Sequence, residues 1–457
     1  MKRWKHSLSK YNLLTCDLGK LVPIGCFPVL PGDTVQQATS LFMRTTPLAT
    51  PVMHPLRMKV HHWFVPHRLV WDDFENFITG GEDGADASTF PTIDFTSSAI
   101  TKGTLGDYLG LPVGTAEAVN ALPFRSYAAI FNEWYRDQDL QTALTIDKTD
   151  GADTTTNTTL QSANWEKDYF TTARDETQKG AEVSLPLGTS ADVTTGAADG
   201  ASVSVYSTSL AAQQALDTDG TSGGHVVLDG GTTGSSMLYA DLSGATAATV
   251  NDVRLAFARQ RFKEARMRYG GRYVEYLRSL GVNALDHRLQ RPEYLGGGKS
   301  TIGISEVLQQ GVDSVDAGVG NLKGRGAGAM QTRRYRRYFQ EHGYVISLLV
   351  VQPKTMYTQG IHKDWLRTTK EDFFQKELAG VGQDTVLNKE VYRAHASPGG
   401  TFGYQDRYDD YRRQVSTVHG EFHDGEQYDD WHMARIFASD PALNSNDRDW
   451  ETESPTR

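Results

Sequence analysis

Seven carboxylates, Asp406, Asp409, Asp410, Asp424, Glu426, Asp429 and Asp430, are interleaved with Tyr404, Tyr408, Tyr411 and Trp431. An acid pair beside aromatic rings is what hydrolysis of a glycosidic bond requires, one carboxyl to protonate the leaving oxygen and one to serve as nucleophile or base. The same composition fits a solvated turn region neutralised by Arg407, Arg412 and Arg413. Four histidines, His54, His61, His62 and His67, crowd one stretch, but no carboxylate or cysteine follows at a ligand spacing, so they read as structural. Gly296-Gly-Gly-Lys-Ser300 has the ending of a phosphate-binding loop, yet that pattern needs a glycine where Glu293 stands. Cations alternate with aromatics in Arg333-Arg-Tyr-Arg-Arg-Tyr338, and the start of the chain carries Lys2, Arg3, Trp4 and Lys5 with no acid. Cations beside stacking faces suit single-stranded nucleic acid held without sequence preference. Lys2, Arg3, Trp4, Lys5, Arg333, Arg334, Arg336 and Arg337 are therefore the candidate nucleic-acid-binding residues; no catalytic set, metal site or cofactor is expected.

The elements that must carry these groups are mostly β. From Leu13 to Val65, short runs of Val, Ile, Phe and Leu are punctuated by prolines, the pattern of strands with turns and edges. Met58–Val65 alternates as a strand covered on at least one side, and further strands are expected at Gly343–Gln352 and Arg412–Phe422. Their wide separation in sequence implies long-range pairing of the Greek-key type. Pro123 can open a helix that puts Phe124, Tyr127, Ala128, Phe131 and Tyr135 on one face, and a second helix runs from about Asp252 through Leu255, Ala258, Phe262 and Ala265 to Gly270. Both read as amphipathic helices laid on a sheet. The glycines of 318–328 lack dinucleotide spacing and read as a flexible loop.

With 39% hydrophobic and 22% charged residues the chain can bury a substantial core. At 457 residues it exceeds one compact core, so it is two domains or a scaffold with large insertions. Between 180 and 253 there is no Lys or Arg, eight residues are acidic and 43 of 74 are Gly, Ala, Ser or Thr. Such a tract cannot build its own core at full length; short runs at Val183–Leu187, Val203–Tyr206, His225–Leu228 and Met237–Tyr239 make it an exposed β and loop insertion, with a disordered linker as the alternative. Cys16 and Cys26 are too few for a disulfide framework and read as buried thiols in a reducing compartment. No apolar stretch follows the basic start, and the longest apolar run, 344–351, is far shorter than a membrane helix. The chain reads as soluble and made in a cytoplasm.

Several long motifs are shared with one family. Leu14-Thr-Cys-Asp-Leu-Gly-Lys-Leu-Val-Pro23, Leu30-Pro-Gly-Asp-Thr34, Pro51-Val-Met-His54 and Phe64-Val-Pro-His-Arg-Leu-Val-Trp-Asp-Asp73 resemble the major capsid protein of microviruses, small tailless single-stranded-DNA bacteriophages, most closely the gokushovirus branch. The resemblance resumes at Pro123-Phe-Arg-Ser-Tyr127, Asn132-Glu-Trp-Tyr-Arg-Asp137, Leu238-Tyr-Ala-Asp-Leu-Ser243, Leu289-Gln-Arg-Pro-Glu-Tyr-Leu-Gly-Gly-Gly298, Glu341-His-Gly-Tyr344, Pro353-Lys-Thr355 and 428–437, and covers most of the chain outside about 189–236. It departs at Arg174-Asp-Glu176, where the family usually has a Pro-Trp pair. It implies a mainly β chain with a single eight-stranded antiparallel jelly roll of the viral capsid type, long inter-strand insertions and a few helices. Residues 1–140, with a basic N-terminal arm, and 251–457 would form the jelly roll; 141–250 would form a protrusion on the outer surface, most variable at 189–236. It further implies a shell of sixty copies with T=1 symmetry around circular single-stranded DNA, a small basic DNA-packaging protein, a minor pilot protein and a host-cell receptor as partners, no membrane insertion, and a virion assembled in the bacterial cytoplasm. The rival reading is a carbohydrate-active β-sandwich enzyme or glycan-binding module using residues 406–431.

Overall fold

The computed structural model describes residues 4–81, 85–181, 183, 192–195, 203–207, 212–218, 226–229, 238–241, 250–269, 278–279, 281, 290–308, 310, 320 and 322–443. The chain falls into two compact units, Met1–Thr177 with Gly271–Arg457, and Gln178–Gly270. The first opens with strands β1 (Val22–Val29), β2 (Thr34–Gln37), β3 (Ser40–Arg44) and β4 (Leu56–Pro66). Helix α1 (Phe74–Thr79), β5 (Thr92–Asp94), α2 (Leu105–Leu109), β6 (Ala118–Asn120) and α3 (Leu122–Ile130) follow. The second unit contains β7 (Asp192–Thr195), β8 (Val203–Ser207), β9 (Ala212–Thr218), β10 (Val226–Asp229), β11 (Leu238–Asp241) and α4 (Val250–Tyr269). The chain then returns through β12 (Glu293–Leu308), β13 (Leu322–Gln331), β14 (Tyr335–Tyr338), β15 (Gly343–Pro353), β16 (Gln383–Leu387), α5 (Asn388–Val391) and β17 (Thr401–Asp406).

All pairings between these strands are antiparallel. The principal sheet has the order β1-β15-β4-β12-β13-β3, and β14 pairs with β2 in a separate ladder. The result is mainly β, a curled antiparallel sheet of the jelly-roll type. β15 is almost continuously apolar because it lies mid-sheet with both faces covered. On one face Met58, Val60, Leu349 and Val351 pack with Ile302 and Met330. On the other, Trp63, Val65, Ile346 and Leu348 pack with Phe124, Tyr127 and Ile130 of α3. That helix starts where Asn120 accepts from the Leu122 amide at 2.8 Å, with Pro123 in its first turn. It runs into a π turn over Phe131–Tyr135, which brings the Tyr135 hydroxyl to His61 at 2.7 Å and the Trp63 indole at 3.2 Å. The expected face of Phe124, Tyr127, Ala128 and Phe131 is buried.

Three expectations are corrected. No strand spans 412–422: Tyr408 and Gly420 take left-handed backbone angles, short 3-10 turns lie at Asp409–Tyr411 and Gly420–Phe422, and an isolated bridge from Thr417 to Tyr357 is all the sheet pairing there. The glycine-rich stretch is not a loop from 322 on but strand β13. Its inward positions are glycine because a Cβ at Gly324 would lie 2.6 Å from the Thr50 carbonyl and one at Gly328 would lie 2.8 Å from Met58. Helix α4 forms, but its Leu255 and Phe262 are 47% and 56% exposed rather than packed on a sheet. In the second unit the runs at 203, 225 and 237 are strands β8, β10 and β11, while 184–187 lies outside the described residues.

Residues 141–177 pack within the first unit through a buried ion pair. The Arg125 Nε donates to Asp153 at 2.8 Å, with both side chains fully buried. Arg125 also donates to the carbonyls of Val70 and Thr149. Burial alone would raise the Asp153 carboxyl pKa, but the Thr156 hydroxyl and amide and the Arg125 guanidinium outweigh it and hold the pKa low. Removing one partner strands the other charge, so Asp153→Ala is expected to cost roughly 3–5 kcal/mol in urea unfolding. The paired change Arg125→Met with Asp153→Leu should cost less; equal losses would show that the charge pairing is not what holds this segment.

Candidate nucleic-acid interface

The Arg333–Tyr338 cluster sits where the chain leaves β13 for β14. Thr332 is buried and anchors the exit: its amide donates to the Thr39 carbonyl at 2.9 Å and its hydroxyl accepts from the Thr39 amide at 2.8 Å. β14 then pairs with β2 from Tyr335 opposite Gln37 to Tyr338 opposite Thr34. Alternation sorts the side chains. Tyr335 turns inward, donates to Gln37 Oε1 at 2.6 Å and lies against His62; burial raises its hydroxyl pKa. Arg337, also turned inward, is half-buried and paired with Glu293 at 3.1 Å. Arg333, Arg334 and Arg336 are exposed, and no described carboxylate is within ion-pair distance of them. Tyr338 is half-exposed beside them. Three guanidiniums and one ring face solvent, able to take phosphates and a base.

At the N-terminus Trp4 and Lys5 are exposed on a segment without regular structure, while Lys2 and Arg3 lie outside the described residues. The segment is first tied down at Asn12, whose side chain donates to the Ile24 carbonyl at 2.7 Å. The histidines are spent on internal contacts. His54 meets the Lys354 carbonyl at 2.6 Å, His61 the Tyr135 hydroxyl, His62 the Ser347 hydroxyl at 2.7 Å, and His67 packs on Phe74 and Tyr344. Among the described residues no three His, Cys, Asp or Glu side chains converge as a metal-holding group. Cys16 and Cys26 are free and half-buried.

Three of the seven carboxylates of the acidic cluster are held in ion pairs. Asp406 pairs with Arg174 at 2.9 Å, Asp409 with Arg413 at 2.7 Å and Asp410 with Arg367, whose guanidinium lies 3.9 Å from the Tyr411 ring centre. Arg174, at the point where the chain departs from the family motif, therefore has a structural partner 232 residues away. The carboxyl most displaced in this region is one that no spacing pointed to: burial raises the Glu390 pKa to about 7, and its Oε1 accepts from the Leu387 amide at 2.9 Å.

A curled β-sheet whose clustered histidines and Asp406, Asp409 and Asp410 are taken up in internal contacts, with cations on open surfaces, suits a structural subunit. Residues 1–449 match the family model for the phage capsid protein, F protein. The chain is 36% identical over 451 residues to capsid protein VP1 of Bdellovibrio phage phiMH2K, covering 93% of this chain and 83% of that one. It is 32% identical to capsid protein VP1 of Chlamydia phage 1, covering 94% and 86%, and 33% identical to that of Spiroplasma virus 4, covering 94% and 84%. The chain belongs to the phage capsid protein (F protein) family. It is a capsid protein and not an enzyme, so the carbohydrate-active alternative falls away.

These histidines, His54 and His62 buried and His61 and His67 half-buried, make stability depend on pH. Desolvation lowers the pKa of His54, His61, His62 and His67 from 6.5 to about 4. Between those values the unfolded chain binds protons that the folded one excludes, so the stabilisation is full above pH 6.5 and lost as pH falls toward 4. Glu390 acts oppositely, because its folded pKa lies above its unfolded 4.5, and offsets one of the four. The net slope is then at most about 4 kcal/mol per pH unit near pH 5.5. The urea midpoint should drop between pH 7 and pH 5; a flat or rising midpoint would overturn the account.

Proposed function

We propose that this capsid protein closes a T=1 shell of sixty copies around circular single-stranded DNA. The eight strands of the jelly roll are taken as the six of the principal sheet with the β2–β14 ladder. The observation that carries the shell reading is the set of large apolar side chains left open on the protomer. Trp365, Phe373, Phe374 and Val381 all lie within one segment and are 53–84% exposed, too much apolar surface for a chain that works alone. In a closed shell each such contact is repeated by symmetry, so modest interfaces suffice together.

Arg333, Arg334 and Arg336, with Trp4, Lys5, Lys2 and Arg3 of the N-terminal arm, are assigned to the packaged DNA; Arg337 serves mainly to hold β14 through Glu293. The tract within 141–250 is assigned to the outer surface, as a protrusion for attachment to a host receptor. A separate small basic protein and a minor pilot protein complete the virion, and synthesis takes place in the host cytoplasm. No helix among the described residues is long and apolar enough to cross a membrane.

Co-expression with the other virion components should give particles visible by electron microscopy that protect DNA from nuclease. Protein that runs only as monomer or dimer under those conditions would sink the shell reading. Arg333→Ala with Arg334→Ala should lower the DNA content of particles while shells still form, whereas Arg337→Ala should lower the unfolding midpoint more than the DNA content. Removing 190–235 should leave a folded protein that assembles but adsorbs poorly to host cells; an insoluble product would make that tract structural.

A further inference from the structure

Resting on the shell reading, we infer that the open face of β12, β13 and β3 is a further docking surface for the packaged single-stranded nucleic acid, separate from the Arg333–Tyr338 cluster. The three strands end the principal sheet, and no described residue of the first unit covers here the side that α3 covers over β4 and β15. Register fixes what shares that side. Gly303, Ala327 and Arg44 form one cross-strand row; Ser305 with Arg325 forms the next; Val307 with Lys323 forms the third. In the opposite direction lie Ala329 beside Phe42, and Lys299 beside Lys59. Rows two residues apart along a strand are separated by about 7 Å.

Four cations, Arg44, Lys299, Lys323 and Arg325, are exposed on this face, and none has a described carboxylate within ion-pair distance. The acid of this stretch of β12, Glu306, alternates onto the opposite face with Ile302 and Ile304. At the border, Glu166 reaches over from a loop and pairs with Arg57 and Lys59, so neutralisation stops where the bare sheet begins.

The floor between the cations is flat. The inward glycines of β13 are required by packing, but outward Ala327 and Ala329 are exposed, and nothing described covers them. Phe42 is 64% exposed with the Arg44 guanidinium 5.3 Å from its ring centre, a stacking surface already associated with a cation. Flat small residues, free cations and one exposed ring suit a sugar-phosphate backbone with a stacked base. An acidic protein segment would use the cations but has no need of the ring.

The test uses purified full-length protein and a fluorescein-labelled oligo(dT), followed by anisotropy across a salt series. Lys323→Glu with Arg325→Glu should weaken binding at least tenfold at low salt, and Lys323→Gln with Arg325→Gln should flatten the slope of log K against log salt by about 1.4, two phosphates for a single strand. Phe42→Leu should weaken binding with the slope unchanged. Binding and slope equal to wild type in both double variants, each folded by circular dichroism, would overturn the inference, as would failure of the wild type to bind the oligonucleotide. Double variants that bind normally but no longer assemble would assign the face to a protein contact instead, also overturning it. None of these outcomes bears on whether the wild type forms shells, which tests the underlying reading separately.

Discussion

The structure depends on the pairing of β4 with β15. These strands are aligned residue by residue from Leu56 opposite Pro353 to Pro66 opposite Gly343. They bring together segments such as those of His62 and Ser347, 285 residues apart, and loop closure of that length is an entropic cost that only extensive burial offsets. Here both faces contribute: Met58, Val60, Leu349 and Val351 on one side, Trp63, Val65, Ile346 and Leu348 on the other. A slip of one residue would exchange the two sets and bury Arg57 and Lys59, so the register is strongly specified. Gly343 marks the end of the pairing, since a Cβ there would meet the Val65 carbonyl at 2.4 Å.

Polar groups inside this frame are arranged so that each reports on the register. His62 bonds Ser347, its partner across the β4–β15 ladder, and Gln37 of β2 reaches the same hydroxyl at 3.2 Å while accepting from Tyr335. The ladder carrying the arginine cluster is thereby keyed to the central strands by hydrogen bonds that fail if either strand shifts. A positively charged surface gains from such rigidity, because cations held in place need not be ordered again on binding.

The parts of the fold legible in the sequence were those whose signal is local. β4 and β15 show dense apolar stretches, and α3 shows the apolar period with Pro123 at its start. β13 escaped because glycine at every second position reads as a loop, when the reason for those glycines is the close approach of Thr50, Thr45 and Met58 from elsewhere. The period of α4 specified a helix but not what its apolar face meets. In the basic cluster, the alternation of cations and aromatics over Arg333–Tyr338 was legible, but which of its arginines face solvent was not. Arg337 is occupied by Glu293 from 44 residues upstream, a fact no composition carries. Arg44, Lys299, Lys323 and Arg325 come from three separate segments and become one face only through strand register.

Net charge is accordingly a poor guide to where an acidic chain can hold a polyanion. The total is -10, yet residues 180–253 hold eight acids and no base, leaving 46 bases against 48 acids elsewhere. Even that near balance misleads, because many charges are spent inside: Arg125 on Asp153, Arg68 on Glu341, Arg291 on Glu133, Arg367 on Asp410. Each internal pair removes one charge of each sign from the surface, and the remainder is sorted by geometry. Cations with no described carboxylate in ion-pair distance collect at the end of the principal sheet and around β14, while the acidic tract is confined to the other compact unit. Local fields govern attraction within a Debye length of about 10 Å, so such patches act independently of the overall sign. If they hold packaged single-stranded DNA as proposed, they would not neutralise all of it: a few cations per copy against a long polyphosphate would leave most of the charge to counterions or a separate basic partner. On that proposal the sheet's cations would fix where a strand lies rather than condense it.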